Sequence, residues 1–155
     1  MKKWIFPAVA AAALLAGCTT YQDANDGGDM WTVTHRGQEV DYEFLDEVLF
    51  AYDSDQLSPR AYDSIARVAR DIRHHPRWLV GVDGYTDTVG SQDYNLPLSR
   101  ARAQTVADAL AHNGIDPRRI SVAGFGKTHL AVPTGDNVRE RRNRRVVIRL
   151  FPPDR

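Results

Sequence analysis

The chain has 155 residues, and its 20 basic residues balance its 20 acidic ones. No general attraction to nucleic acid follows from that balance, and the length suits one domain with a short additional segment. A single cysteine excludes an internal disulfide framework.

The first residues carry their own signal. Lys2 and Lys3 precede an apolar run from Trp4 to Ala16, interrupted only by Pro7, and Leu15-Ala16-Gly17-Cys18 closes it. A charged start, a short apolar stretch and small residues at the end read as a secretory signal peptide over 1–17. At about 13 residues the run is too short for a membrane span, which needs ~20. Small residues ending in the sole cysteine read as a lipobox, so Cys18 is expected to carry acyl chains in the outer-membrane lipid. Several chains on one residue exceed what stable anchoring needs, at ~0.8 kcal/mol per buried CH₂. Thr19 follows Cys18 where an Asp would resemble an inner-membrane retention signal, which favours the outer membrane. Cleavage removes Lys2 and Lys3, leaving 18 basic against 20 acidic residues and a net charge of −2.

Residues 18–43 are expected to be the lipidated N-terminus and tether. From Thr19 to Asp29 the chain is small, polar and acidic, which argues against a packed element. Thr32-Val33-Thr34 and Glu39-Val40-Asp41 flank Arg36-Gly37 and could pair as a short hairpin. The globular pattern is expected over 44–151. Val48 to Tyr52 reads as a buried strand ending at the turn Asp53-Ser54-Asp55. Ser58-Pro59 is a helix N-cap, and Ala61, Ile65, Val68 and Ile72 mark one apolar face up to Pro76. Trp78 to Val82 is the second strand. A second helix carries Leu98, Val106, Ala109 and Leu110, with Pro97 in its first turn. It stops at Asn113-Gly114-Ile115, a glycine with an apolar residue behind it. Ile120 to Gly124 and Arg145 to Leu150 complete the order β-α-β-α-β-β. That predicts an α/β sandwich, a small mixed sheet with helices on one face.

Between the second strand and the second helix lies the most informative stretch, Gly84 to Arg102. Asp87 sits just past the end of a strand, where α/β sheets present ligand-contacting loops. Arg102 lies on the helix beside its apolar stripe. A carboxylate and a guanidinium facing one cavity can receive a zwitterion, ammonium to one and carboxylate to the other. The same spacing also fits an Asp87–Arg102 structural salt bridge. Both charges are expected to be partly exposed in an empty site.

Gly84, Thr86, Asp87 and Gly90, then Asn95, Leu98, Ser99, Arg102 and Ala103, then Asn143, Arg144, Arg145 and Val146 follow one ordered pattern. It resembles the signature of the OmpA-like, Pal-type peptidoglycan-binding domain, over roughly residues 48–151. The resemblance implies that Asp87 receives the ammonium, and Arg102 the carboxylate, of diaminopimelate in the peptidoglycan stem peptide. It also brings in Asn95 through its amide, the Asp53 loop with Tyr52 packing on the ligand, and Arg144 beside the binding loop. Thr86 either bonds the ligand or caps the loop. The family often has Gly-Arg ahead of Asn-Arg-Arg, where this chain has Val138-Arg139-Glu140-Arg141-Arg142.

Other chemistry is poorly represented. His35, His74, His75, His112 and His129 lack metal-ligand spacing, and no cofactor motif occurs. A hydrolase would need a nucleophile–base set, paired catalytic carboxylates or a metal, and no such context is evident. A non-enzyme is therefore expected, either a tether between outer membrane and cell wall or a module contacting periplasmic envelope proteins.

Overall fold

The computed structural model describes residues 19–21, 31–50 and 56–153. Six strands form one sheet: β1 (Thr19–Tyr21), β2 (Trp31–Arg36), β3 (Glu39–Leu45), β4 (Leu79–Tyr85), β5 (Ile120–Gly124) and β6 (Arg145–Phe151). Their spatial order is β1-β2-β3-β6-β4-β5. Only β4 and β5 run parallel; the other neighbours are antiparallel. A short helical turn α1 (Asp46–Leu49) and the helices α2 (Pro59–His74) and α3 (Gln92–His112) complete the fold.

Alternation along the strands builds the core. Tyr42 and Phe44 of β3, Val80 and Val82 of β4, and Val146, Ile148 and Leu150 of β6 point to the helical side and are buried. They meet Ala61, Ile65, Val68 and Ile72 of α2, and Val106 and Leu110 of α3. The opposite face bears a ladder of charges. Arg149 Nε donates to Asp83 Oδ2 at 2.7 Å, Arg36 pairs with Asp41 at 3.3 Å, and Arg145 lies 3.9 Å over the Tyr85 ring.

The order β-α-β-α-β-β is present, counted from β3, and the fold is the expected mixed sheet with helices on one face. Its first strand is displaced. Asp46 to Leu49 is helical, with Phe50 N–H bonded to the Asp46 carbonyl at 2.8 Å, and Phe50 makes a single bridge with Leu57. An apolar run this short can serve a buried strand or a buried helical turn equally well. The segment expected as a tether, 18–43, contains two strands that continue the sheet, and the boundary at residue 44 falls inside β3. The hairpin over residues 32–41 is real and longer than expected. Gly37 turns it with φ +64°, and Trp31 stacks on Phe44 at 5.4 Å. Residues 1–17, Cys18, Tyr52 and Asp53 lie outside the described residues.

α2 begins as expected, with Ser58 Oγ accepting from Ala61 N–H at 3.2 Å. α3 begins earlier than expected, capped by Ser91, so Pro97 is its sixth residue rather than in its first turn. The proline is tolerated because it and Asp93, whose carbonyl loses its helical donor, are both exposed. At the other end Ile115 N–H returns to the Leu110 carbonyl at 3.2 Å past Gly114 (φ +87°), the expected stop. Among the described residues no helix is long and apolar enough to cross a membrane.

Candidate functional site

Three strands end at one rim. Leu45 pairs with Arg145, and Arg145 with Tyr85, so the next residues outward are Asp46, Arg144 and the Thr86–Asp87 loop. The Asp46 N–H donates to the Arg144 carbonyl at 2.9 Å, continuing the β3–β6 ladder by one bond. α3 supplies the fourth wall because it sits unusually close to the sheet. A Cβ on Gly84 would lie 2.0 Å from the Ser99 carbonyl oxygen, and one on Gly124 would lie 2.6 Å from the Arg100 nitrogen. These two glycines are in register on β4 and β5 and let the helix backbone rest on the strands. Tyr94, Asn95, Leu98 and Arg102 then recur at helical spacing along the wall facing the rim.

The result is an open cleft of about 570 Å³, a size common for small-ligand sites. Its lining includes three acids (Asp46, Glu47, Asp87) and three arginines (Arg102, Arg139, Arg144), with Phe50 and Tyr94 as aromatic walls. Asp87 is fixed on both oxygens. Oδ1 accepts from Val89 N–H at 3.1 Å and Oδ2 from Arg144 Nη1 at 2.8 Å. Arg102 is held more loosely. Its Nη1 lies 3.1 Å from Asp46 Oδ1, its guanidinium lies 5.4 Å from the Phe50 ring centre, and its buried Nε has no hydrogen-bond partner among the described residues. Burial pushes the Asp46 carboxyl above its usual range, against the pull of Arg102 and Arg144. Glu47 is paired with Arg141.

Asp87 and Arg102 therefore share a cleft, as expected, but they are not each other's partner. The salt-bridge alternative gives way to two crossed pairs, Asp87–Arg144 and Asp46–Arg102. Nor are the charges widely exposed: the side chains of Asp87 and Arg102 are 8% and 12% accessible. Asp87 is held by Val89 N–H and Arg144, and Arg102, on α3, lies against Asp46 and Phe50. Thr86 lines the cleft, but its hydroxyl donates to the Asp87 carbonyl at 3.0 Å, the loop-capping role. Asn95 also lines it and spends its amide on the Val89 carbonyl at 2.8 Å. Both shape the loop that carries Asp87. Arg144 stands beside the binding loop, and the other arginines scatter: Arg142 to Glu140, Arg145 and Arg149 to the open sheet face.

A second layer braces the loop. The Thr88 hydroxyl donates to the Gly135 carbonyl at 2.7 Å and accepts from Val138 N–H at 3.0 Å. The Asn143 side chain bonds both the N–H and the carbonyl of Val132, at 2.8 and 2.9 Å. These bonds hold the loop that carries Asp87 against the connection from Val132 to Val138.

Sequence reasoning missed Asp46, Glu47 and Tyr94. Tyr94 was available from spacing, since it precedes Leu98 by four residues and Arg102 by eight. The two acids were hidden by the strand reading of the run that follows them.

Comparison with known proteins meets the same framework. The model of the OmpA family matches residues 49–144. The peptidoglycan-associated lipoprotein of Legionella pneumophila is 32% identical over 156 residues, covering 89% of this chain and 89% of that one. The Escherichia coli protein named "Probable lipoprotein YiaD" is 34% identical over 121 residues, covering 78% of this chain and 55% of that one. The chain spans nearly all of the first relative and about half the length of the second. Among solved structures, the cell wall anchor of the T6SS from Pseudomonas aeruginosa is 27% identical, with a TM-score of 0.68 over 80% of this chain and 89% of that one. The family match runs from Leu49, the last residue of α1, to Arg144 and takes in the cleft lining apart from Asp46 and Glu47; the chain belongs to the OmpA family.

Proposed function

We propose that the protein is an outer-membrane lipoprotein whose domain binds diaminopimelate of the peptidoglycan stem peptide non-covalently. Acylated Cys18 would hold one end in the membrane and the cleft would hold the wall. The observation that carries this reading is the state of Arg102. Its guanidinium is nearly buried, yet among the described residues Nε finds no hydrogen-bond partner and Nη1 makes an ion contact with Asp46. Buried donors are ordinarily satisfied, and a planar carboxylate would satisfy this one in a bidentate fork. Asp87, across the cleft, offers the charge for an ammonium. The Legionella relative's name as peptidoglycan-associated supports the same ligand class.

The test is titration of the protein with a diaminopimelate-containing stem peptide, beside a lysine-containing peptide that lacks the second carboxylate. Asp87→Ala and Arg102→Ala should each weaken binding by ~2–5 kcal/mol, since each leaves an opposite charge unpaired. Arg102→Lys keeps the charge but loses the fork, and should still weaken binding more than tenfold. Equal affinity for both peptides would remove the diaminopimelate reading. Cys18→Ser should leave the protein unprocessed or released from the outer-membrane fraction; mature protein still in that fraction would remove the lipid anchor.

A further inference from the structure

A cleft that must receive a zwitterion faces an intrinsic problem. Its own opposite charges can satisfy one another and close the site before any ligand arrives. Here Asp87 and Arg102 line the same cleft, and each has a different counter-ion. Arg144 bonds Asp87 through a directed hydrogen bond, and Asp46 stands 3.1 Å from Arg102. Asp46 is itself well fixed. Its N–H bonds the Arg144 carbonyl, and its own carbonyl receives Phe50 N–H and so closes the α1 turn.

We propose that Asp46 is a positioning residue of the cleft: it holds Arg102 against the Phe50 side, away from Asp87, while leaving the guanidinium donors free for a ligand carboxylate. This rests on the diaminopimelate reading above. Two features favour positioning over competition. The Asp46–Arg102 contact is an ion pair that leaves Nε without an acceptor, so a ligand can add to it without breaking a bidentate fork. Among the described residues the lining also holds three acids against three arginines, matching a ligand with no net charge at its recognised end. Neutralising Asp46 would make the cleft one charge more positive, disfavour the ligand ammonium, and free Arg102 to turn toward Asp87.

Asp46→Asn and Asp46→Glu test this by titration with the diaminopimelate peptide, alongside thermal melts. The asparagine variant should fold, because it keeps the shape of the side chain and the two backbone bonds of residue 46. It should bind at least tenfold more weakly, and Asp46→Glu should stay within about threefold of the parent by restoring the charge. A further measurement is independent of ligand. In the parent, the shifts in melting midpoint from Asp87→Asn and Arg102→Gln should add; on the Asp46→Asn background they should become non-additive, because the two residues now pair. Unchanged or tighter binding by Asp46→Asn overturns the proposal, as does a glutamate variant as weak as the asparagine one, or additive shifts on both backgrounds. Failure of the parent itself to bind the peptide overturns the underlying reading, and this proposal with it.

Discussion

A chain beginning at Tyr42 should lose much of its stability, because strands β2 and β3 belong to the sheet. The truncation removes Trp31, which stacks on Phe44 at 5.4 Å and lies 5.7 Å from Tyr42. It also removes Val33 and Val40, which pack against the buried cluster, and cuts β3 in its middle. A fully buried tryptophan is worth ~3–5 kcal/mol against alanine; for the half-buried Trp31 we take ~2. The two half-buried valines add ~1 kcal/mol each. The total of ~4 kcal/mol, before any ladder hydrogen bond, corresponds to a fall in melting midpoint of ~15–30 °C in a domain near 100 residues. Thermal unfolding followed by far-ultraviolet circular dichroism, compared with a chain beginning at Thr19, measures it. Trp31→Ala in the longer chain should reproduce about half the effect. A midpoint within ~5 °C for the Tyr42 chain would mean that β2 merely rests on a core complete without it.

Two further substitutions probe the fold. Gly84→Ala forces a methyl group to 2.0 Å from the Ser99 carbonyl oxygen, and should cost ~3 kcal/mol or more in denaturant unfolding. Gly81→Ala is its control: there the methyl meets only the flexible end of Arg149 at 3.2 Å, so equal losses would refute the close approach of α3. Asp41 is buried, its Oδ1 has no hydrogen bond among the described residues, and burial raises its carboxyl above the ordinary 3.8 despite Arg36 and Arg149. A raised carboxylate favours the fold when protonated, so its contribution is fully present below 3.8 and is lost as pH rises through the folded value. Asp41→Asn should therefore be as stable as the parent or more so at pH 7, with the gap closing as pH falls toward 4. A variant markedly less stable at pH 7 would show that the Arg36 and Arg149 charges outweigh burial.

What could be read from the residues alone depended on how local the governing interaction is. Helix α2 was visible because its cap, its proline and its apolar face all lie within one segment. The stop at Gly114 was visible for the same reason. β3 was visible only over Glu39 to Asp41, although Val40, Tyr42 and Phe44 alternate with Glu39, Asp41 and Glu43. Asp41 is partnered by Arg36 across the hairpin, but Glu43 is partnered by Arg145 of β6, far away in sequence. Val48 to Phe50 misled in the opposite direction, being apolar enough for a strand yet used as a buried turn. In the cleft, the residue types at 87 and 102 pointed to the right place. Their actual partners, Arg144 and Asp46, arise from strand register at the rim, which no spacing within one segment reveals.

The long connection from Phe125 to Arg144 has little regular structure, yet Thr88 and Asn143 pin it at Val132 and at Gly135 to Val138. It can be treated as two spans with different tolerance for added sequence. Extra residues beside Ala131, which is exposed and makes no described side-chain bond, should cost only the slow logarithmic penalty of a longer loop. The same insertion between Thr134 and Val138 would pull the acceptors away from Thr88 and shift Asp87 with them. For grafting a reporter or an epitope, the usable door of the connection is on the Ala131 side of the Val132 pin, outside the span that Thr88 holds.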